Sequence, residues 1–179
     1  MTSLLKSPHL DLAVRDNLEA LAQGRDLLAA LGEAAYVRRE PACFNSSIGG
    51  HLRHVIEHYE SFLQAQRTGM VDYEARARDV RIENEPAYAV MRLEQLREDL
   101  SSLADDFLES NVEVRSEMVG QEDAAPCNPS SVGRELEFLL SHTIHHYALI
   151  AVVCALGGKP TPVDFGVAPS TLRFRRHAG

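Results

Sequence analysis

Apolar residues recur along most of this chain at intervals of three, four and seven, the spacing that gathers side chains on one side of an α-helix. From about His9 to Gly32 the recurring positions are Val14, Leu18, Leu21, Leu28 and Leu31, and Gly32 stops the run. Asn45, Ser46 and Ser47 are N-cap residue types. They introduce a second helix over about Ile48 to Gln66, with a stripe of Ile48, Leu52, Val55, Tyr59 and Phe62, Ile56 and Leu63 beside it, and Thr68-Gly69 at its end. Pro86 suits a first helical turn. It opens a third helix to about Ser110, with Val90, Leu93, Leu96, Leu100, Leu103 and Phe107 inward. Asn128, Ser130 and Ser131 cap a fourth that runs to Leu156, where Gly157-Gly158 and then Pro160 and Pro162 prevent continuation.

The segments between are less regular. The stretch to Pro41 reads as a loop. Residues 70–85, MVDYEARARDVRIENE, are highly charged and have no clean period. Long ordered connections are often functional, but the charge here favours a solvated crossover. Residues 111–127 are irregular, although Val112 to Val119 alternate well enough for a short strand, and 161–179 reads as a loop with at most a last turn. Four helices, each with one apolar stripe, predict an all-α four-helix bundle with a long charged connection between helices two and three. The whole chain, 1–179, is expected to be a single domain with its core over about 9–158 and a tail over 159–179.

Composition narrows the function. The chain has 179 residues, enough for one self-sufficient core, and 45% are hydrophobic, which excludes intrinsic disorder. Lys plus Arg is 18 against 26 Asp plus Glu, a formal charge of -8. Such a chain repels nucleic acid and anionic lipid unless a basic patch is concentrated locally. The densest cluster, Arg173, Arg175 and Arg176, has three members and reads as a solvated tail. Cys43, Cys127 and Cys154 are an odd, widely spaced set without a CxxC, which argues for reduced thiols. Cys154 reads as a buried small hydrophobe and Cys127 as an exposed thiol without a companion motif. The N-terminus has no signal-peptide core. The longest uncharged apolar stretch, Ala148 to Leu156, is shorter than the about 20 residues that span a bilayer. The expectation is a soluble, cytoplasmic protein.

The candidate chemistry lies in the histidines. Of the eight, His51, His54 and His58 fall on helix two and His142, His145 and His146 on helix four. Residues i and i+4 differ by 40° around a helix and stand about 6 Å apart along it, so His54 and His58 project from one side, as do His142 and His146. The segments HVIEHY (54–59) and HTIHHY (142–147) resemble each other, and in both the histidine pair keeps the same angular offset from the core stripe. Two helices with imidazoles at matching offsets can converge on one point. Imidazole is the commonest neutral ligand for zinc, nickel, copper and iron, and an i, i+4 pair is a bidentate platform that a third His from another helix completes. A single such pair is more often solvated or capping; two sets in one small domain favour a metal. His9 and His177 read as surface residues.

The stretches S-S-I-G-G-H-L-R-H (Ser46 to His54) and S-H-T-I-H-H (Ser141 to His146) resemble those of the DinB/YfiT-like metalloprotein superfamily. The resemblance extends over most of the chain, from the first helix through Gly158. It implies an up-down-down-up bundle, frequent homodimers and a divalent metal held by His54, His142 and His146, with His145 as the extra imidazole common before the last ligand. His51 and His58 are departures, and either can replace His54 or add a fourth ligand. The usual R-G-Q after the last ligand is Tyr147-Ala148-Leu149 here, so no role carries over for that arginine.

Family members that the resemblance brings in are metal-dependent hydrolases or transferases of low-molecular-weight thiols. Both rest on a cation lowering the pKa of a coordinated water or thiol. The leading expectation is therefore an enzyme that uses zinc, nickel or iron to activate water or a small thiol against a small-molecule substrate. Glu57 and His58, within one turn of His54, are the candidate catalytic pair, able to orient a ligand or act as general base; for Glu57 the reading as a surface carboxylate is the favoured one. Arg76, Arg78 and Asp79 either line the pocket mouth or pair with one another. Two other readings stay open: a metal- or ligand-binding, stress-related dimeric module without turnover, with His58 or His51 closing the site, and a bundle without metal whose histidines serve packing or pH response.

Overall fold

The computed structural model describes residues 8–115 and 126–178, and these are mostly helical. In chain order the elements are α1 (Pro8–Ala30), α2 (Glu33–Val37), a 3-10 turn at Pro41–Cys43, α3 (Ile48–Thr68), β1 (Met70–Val71), α4 (Val80–Asn84), α5 (Pro86–Ser101), α6 (Asp105–Leu108), β2 (Asn111–Arg115), β3 (Cys127–Ser131), α7 (Val132–Leu156) and α8 (Pro169–Ala178). Four helices are long. Each of α1 and α3 packs against both α5 and α7, and α4 packs against α3.

The boundaries follow local chemistry. Ser47 caps α3 by accepting from the Gly50 amide at 3.0 Å. Gly69, at φ 71°, ends α3 and donates to the Ala65 carbonyl at 2.8 Å; that left-handed backbone is where glycine costs least. Ser131 caps α7 and Pro86 occupies the first turn of α5.

The side of α1 that packs inward differs from the expected stripe. Ala13, Asn17, Ala20, Leu21, Gly24, Leu27 and Leu28 are buried, whereas Val14, Leu18 and Leu31 are only partly covered. Small residues let the helices approach closely. A Cβ on Gly24 would stand 2.2 Å from the Tyr147 hydroxyl oxygen, so that ring is seated directly on the α1 backbone. Buried Asn17 is fully used: its amide donates to the Ala13 and Leu136 carbonyls at 2.8 and 3.0 Å, and its oxygen accepts from the Tyr59 hydroxyl at 2.6 Å. Thr143 donates to Tyr59 at 3.1 Å. One polar chain thereby links α1, α3 and α7 next to His58 and His142.

Several expected boundaries are corrected. The third helix ends at Ser101, where its last turn tightens around Ser102, and α6 is a separate turn. Asn128 and Ser130 do not cap α7: they lie in β3, and Ser131 alone caps. The expected strand at Val112 to Val119 exists as β2 up to Arg115, and 116–119 fall outside the described residues. β2 is central in a three-stranded sheet, parallel to β1 (Met70 opposite Glu113) and antiparallel to β3 (Val112 opposite Ser130). Pro129, which has no amide hydrogen to give, sits in an edge strand.

The loop before Pro41 holds α2, and the tail ends in α8, with Pro169 at its start and Arg175, Arg176 and His177 in its last turn. Those charges complement a helix C-terminus; they mark a helix rather than a bare tail. Helix α7 as a whole is long and apolar enough to cross a membrane by length and composition, beyond the shorter run read from sequence. It also bears three histidines and a buried Glu135, and it packs between α1 and α3. Cys43 and Cys154 are buried and Cys127 is exposed, all three free thiols.

Candidate metal centre

Helices α3 and α7 present their imidazoles to one another. One nitrogen each of His54, His142 and His146 lies within 4.8 Å of the other two. His54 Nε2 and His142 Nε2 are 3.1 Å apart, and His146 Nδ1 is 3.1 Å from Nδ1 of buried His51. The His58 ring centroid is 4.1 Å from that of His142 and 4.3 Å from that of His54. His58 stays outside the three-residue group: its Nδ1–H donates to the His54 carbonyl at 2.7 Å, which leaves the Nε2 lone pair as its free function. His145 is exposed, with its ring edge-on to His146. His9 pairs with Glu137 at 3.0 Å and His177 donates to the Arg173 carbonyl, both away from the cluster.

Burial keeps these rings neutral. It pulls His146 down to about 2 and His54 to about 3, helped in both by neighbouring imidazoles. His142 falls to about 4 by burial and the presence of His58. His58 also falls to about 4 by burial, against the pull of its bond to the His54 carbonyl. His51 is lowered by burial and by His145. Neutral imidazoles have the lone pairs a cation requires.

The charged connection after α3 folds over this cluster. Asp72 accepts from the Glu74 and Ala75 amides at 3.0 and 3.1 Å and pairs with Arg115 of β2 at 3.1 Å. The buried Tyr73 ring stacks on His58 at 5.1 Å, and its hydroxyl donates to Glu135 of α7 at 2.8 Å. Glu135 also accepts from Ser130 of β3 at 2.6 Å. The Arg76 guanidinium then reaches the cluster and donates to His54 Nδ1. Farther along, Glu57 Oε1 accepts from the Asp79 amide at 2.7 Å. Glu57 is thus 2% exposed and ties the connection down, contrary to a surface carboxylate. Arg78 is exposed, with φ 53°, and Asp79 caps α4.

The residues fit a divalent cation. Nitrogens bound at about 2.0–2.1 Å are separated by about 2.9–3.4 Å in octahedral to tetrahedral geometry, and the His54–His142 separation of 3.1 Å lies in that interval. His142 Nδ1 and His51 Nε2 are buried without a hydrogen-bond partner among the described residues, which marks a cluster whose polar atoms are not satisfied internally. The sequence pointed to the α3 and α7 imidazoles. It did not point to the sheet, Tyr73 or Glu135 as supports, because their roles depend on contacts between distant segments.

The model of the DinB family matches residues 7–171. A protein named FK506-binding protein 5, from Rhizopus delemar, is 30% identical over 104 residues, which cover 58% of this chain and 27% of that protein. The chain therefore spans about a quarter of that relative's length. No solved structure matches.

Proposed function

This chain belongs to the DinB family, and from that premise we propose a divalent-metal-dependent enzyme, a hydrolase or a small-thiol transferase, on a single four-helix domain of up-down-down-up order. The convergence of His54, His142 and His146 carries this reading. Those three side chains hold the cation, which is zinc, nickel or iron. When bound, a divalent cation lowers the pKa of water or a thiol and supplies a nucleophile near neutral pH.

The chain's own residues do the rest. His51 pairs with His146 Nδ1 and orients that ring, in the manner of outer-sphere partners of ligating histidines. His58 is the general base: the bond from its Nδ1–H to the His54 carbonyl leaves Nε2 to take up a proton, and burial keeps it neutral at pH 7. Glu57 acts at one remove, by anchoring the connection through the Asp79 amide. The substrate is a small electrophile, with a low-molecular-weight thiol as co-substrate in the transferase case. Neither nucleic acid nor a membrane is a partner on this reading, and the setting is the cytoplasm. Val152 and Leu156, exposed on α7, favour a homodimer.

A closed, non-catalytic site is the second reading, favoured by the nearness of His58 to His142. It would make His58 a fourth ligand and leave no exchangeable position. Metal analysis of protein purified without an affinity tag tests the shared premise. About one divalent ion per chain is expected, in line with a single three-His site, and His142→Ala is expected to lose it. Unchanged metal content in that variant overturns the assignment.

A further inference from the structure

Among the described residues, Arg76 is the arginine that reaches the imidazoles. It is partly buried, its Nε is covered without a partner, as are those of Arg53 and Arg97, and its guanidinium donates to a neutral ring nitrogen, His54 Nδ1. Two arginines nearby have carboxylates: Arg53 meets Glu83 at 2.6 Å and Arg115 meets Asp72 at 3.1 Å. Among the described residues no carboxylate is ion-paired with Arg76; Glu74, two positions away, is exposed, and its charge is felt at His58 opposite to that of Arg76. A partly desolvated guanidinium without a carboxylate hydrogen-bonded to it is costly. The connection nonetheless holds it there through Asp72–Arg115, Tyr73–Glu135 and Asp79–Glu57.

Tautomer chemistry sharpens the point. A guanidinium has no acceptor, so His54 Nδ1 must be bare where Arg76 donates to it, and the proton of the neutral ring lies on Nε2. A cation held at His54 Nε2, which stands 3.1 Å from His142 Nε2, would need that lone pair and would leave the ring proton to Nδ1. Nδ1–H can no longer accept from Arg76. A loaded site would therefore deprive the guanidinium of its acceptor among the described residues, in a ring of neutral imidazoles.

We propose that Arg76 is the specificity determinant of this site and selects small molecules bearing a carboxylate, seated on its guanidinium beside the three histidines. The fork of N–H donors matches a planar carboxylate, and a single guanidinium balances a single negative charge. This rests on the metal-site reading above and names the substrate class for it.

Cobalt(II)-loaded full-length protein tests it, with the ligand-to-metal absorption of a bound thiolate as the readout. The probes are 3-mercaptopropionate and its uncharged counterpart 3-mercapto-1-propanol. Wild type is expected to bind the carboxylate-bearing thiol about ten- to a hundredfold more tightly, the size of a hydrogen-bonded charge contact. Arg76→Gln is expected to abolish most of that preference with cobalt uptake and circular dichroism retained, and Arg76→Lys to restore part of it. Equal binding of both probes by wild type, or a preference that survives in Arg76→Gln, overturns the proposal and leaves the metal reading standing. Failure of wild type to take up cobalt overturns both.

Discussion

At the scale of single residues, the character of this site comes from imidazoles that burial keeps uncharged. An unfolded histidine takes up a proton near pH 6.5, whereas His58 and His142 hold out to about 4, His54 to about 3 and His146 to about 2. The unfolded chain therefore binds more protons than the folded one as pH falls below about 6.5, and stability must fall with it. In metal-stripped protein the thermal midpoint is expected to drop steadily from pH 7 to pH 5, a window above the range where carboxylates titrate. A midpoint that stays flat across it would contradict neutral, buried rings. The same neutrality lets a cation compete for the lone pairs without first displacing protons at neutral pH.

At the scale of elements, the angular phase of α3 against α7 decides whether the imidazoles meet. Tyr59 and Thr143 are the next residues after His58 and His142, and they are bonded to each other and to Asn17. A rotation of either long helix would break this buried polar chain before it separated the rings. Tyr59→Phe leaves the Asn17 oxygen and the Thr143 hydroxyl without their shared partner. A loss of about 1–3 kcal/mol is expected, the cost of stranding buried polar groups, together with weaker metal retention. Denaturant unfolding and competition with a chelator measure the two effects, and wild-type values in both would remove this role from Tyr59. The short elements have a similar job. A Cβ on Gly49 would come within 2.0 Å of the Glu83 carbonyl oxygen, so α4 docks on α3 at a distance that only glycine permits. That contact steadies the end of the connection which delivers Arg76.

At the scale of the whole molecule, a cation held by His54, His142 and His146 would join two stretches of chain, α3 and α7, that are far apart in sequence. Because the unfolded chain has no such preformed site, binding is coupled to folding. With free metal at about a hundredfold its dissociation constant, the linkage adds about 2.7 kcal/mol, or about 5–10 °C in thermal midpoint for a domain of this size. A strong chelator at pH 7 is accordingly expected to lower the midpoint by that amount in wild type and by almost nothing in His142→Ala. Equal shifts in both proteins would place the stabilising ion somewhere else.

The four long helices, their capping serines and the choice of α3 and α7 as the carriers of the chemistry were all determined by local pattern. Periodicity of three and four reports one buried face, and i, i+4 spacing places His142 and His146 on one side whatever the rest of the fold does. Local pattern failed where a distant partner sets the outcome. The inward side of α1 is chosen by how closely Gly24 lets Tyr147 of α7 approach. Strands as short as Met70–Val71 exist only through pairing with Asn111–Arg115. Helix α8 has too few apolar positions for a stripe, although Pro169 and its closing basic residues carry its end signals. Glu57 could be placed near His54 from spacing, yet its bond to the Asp79 amide could not. The same is true of Arg76: its position in the sequence offered a pocket mouth or an ion pair, and only the packing of Tyr73 and Asp72 against β2 and α7 brings it to His54. Contacts between residues remote in sequence depend on the relative placement of whole elements, which tertiary packing alone decides.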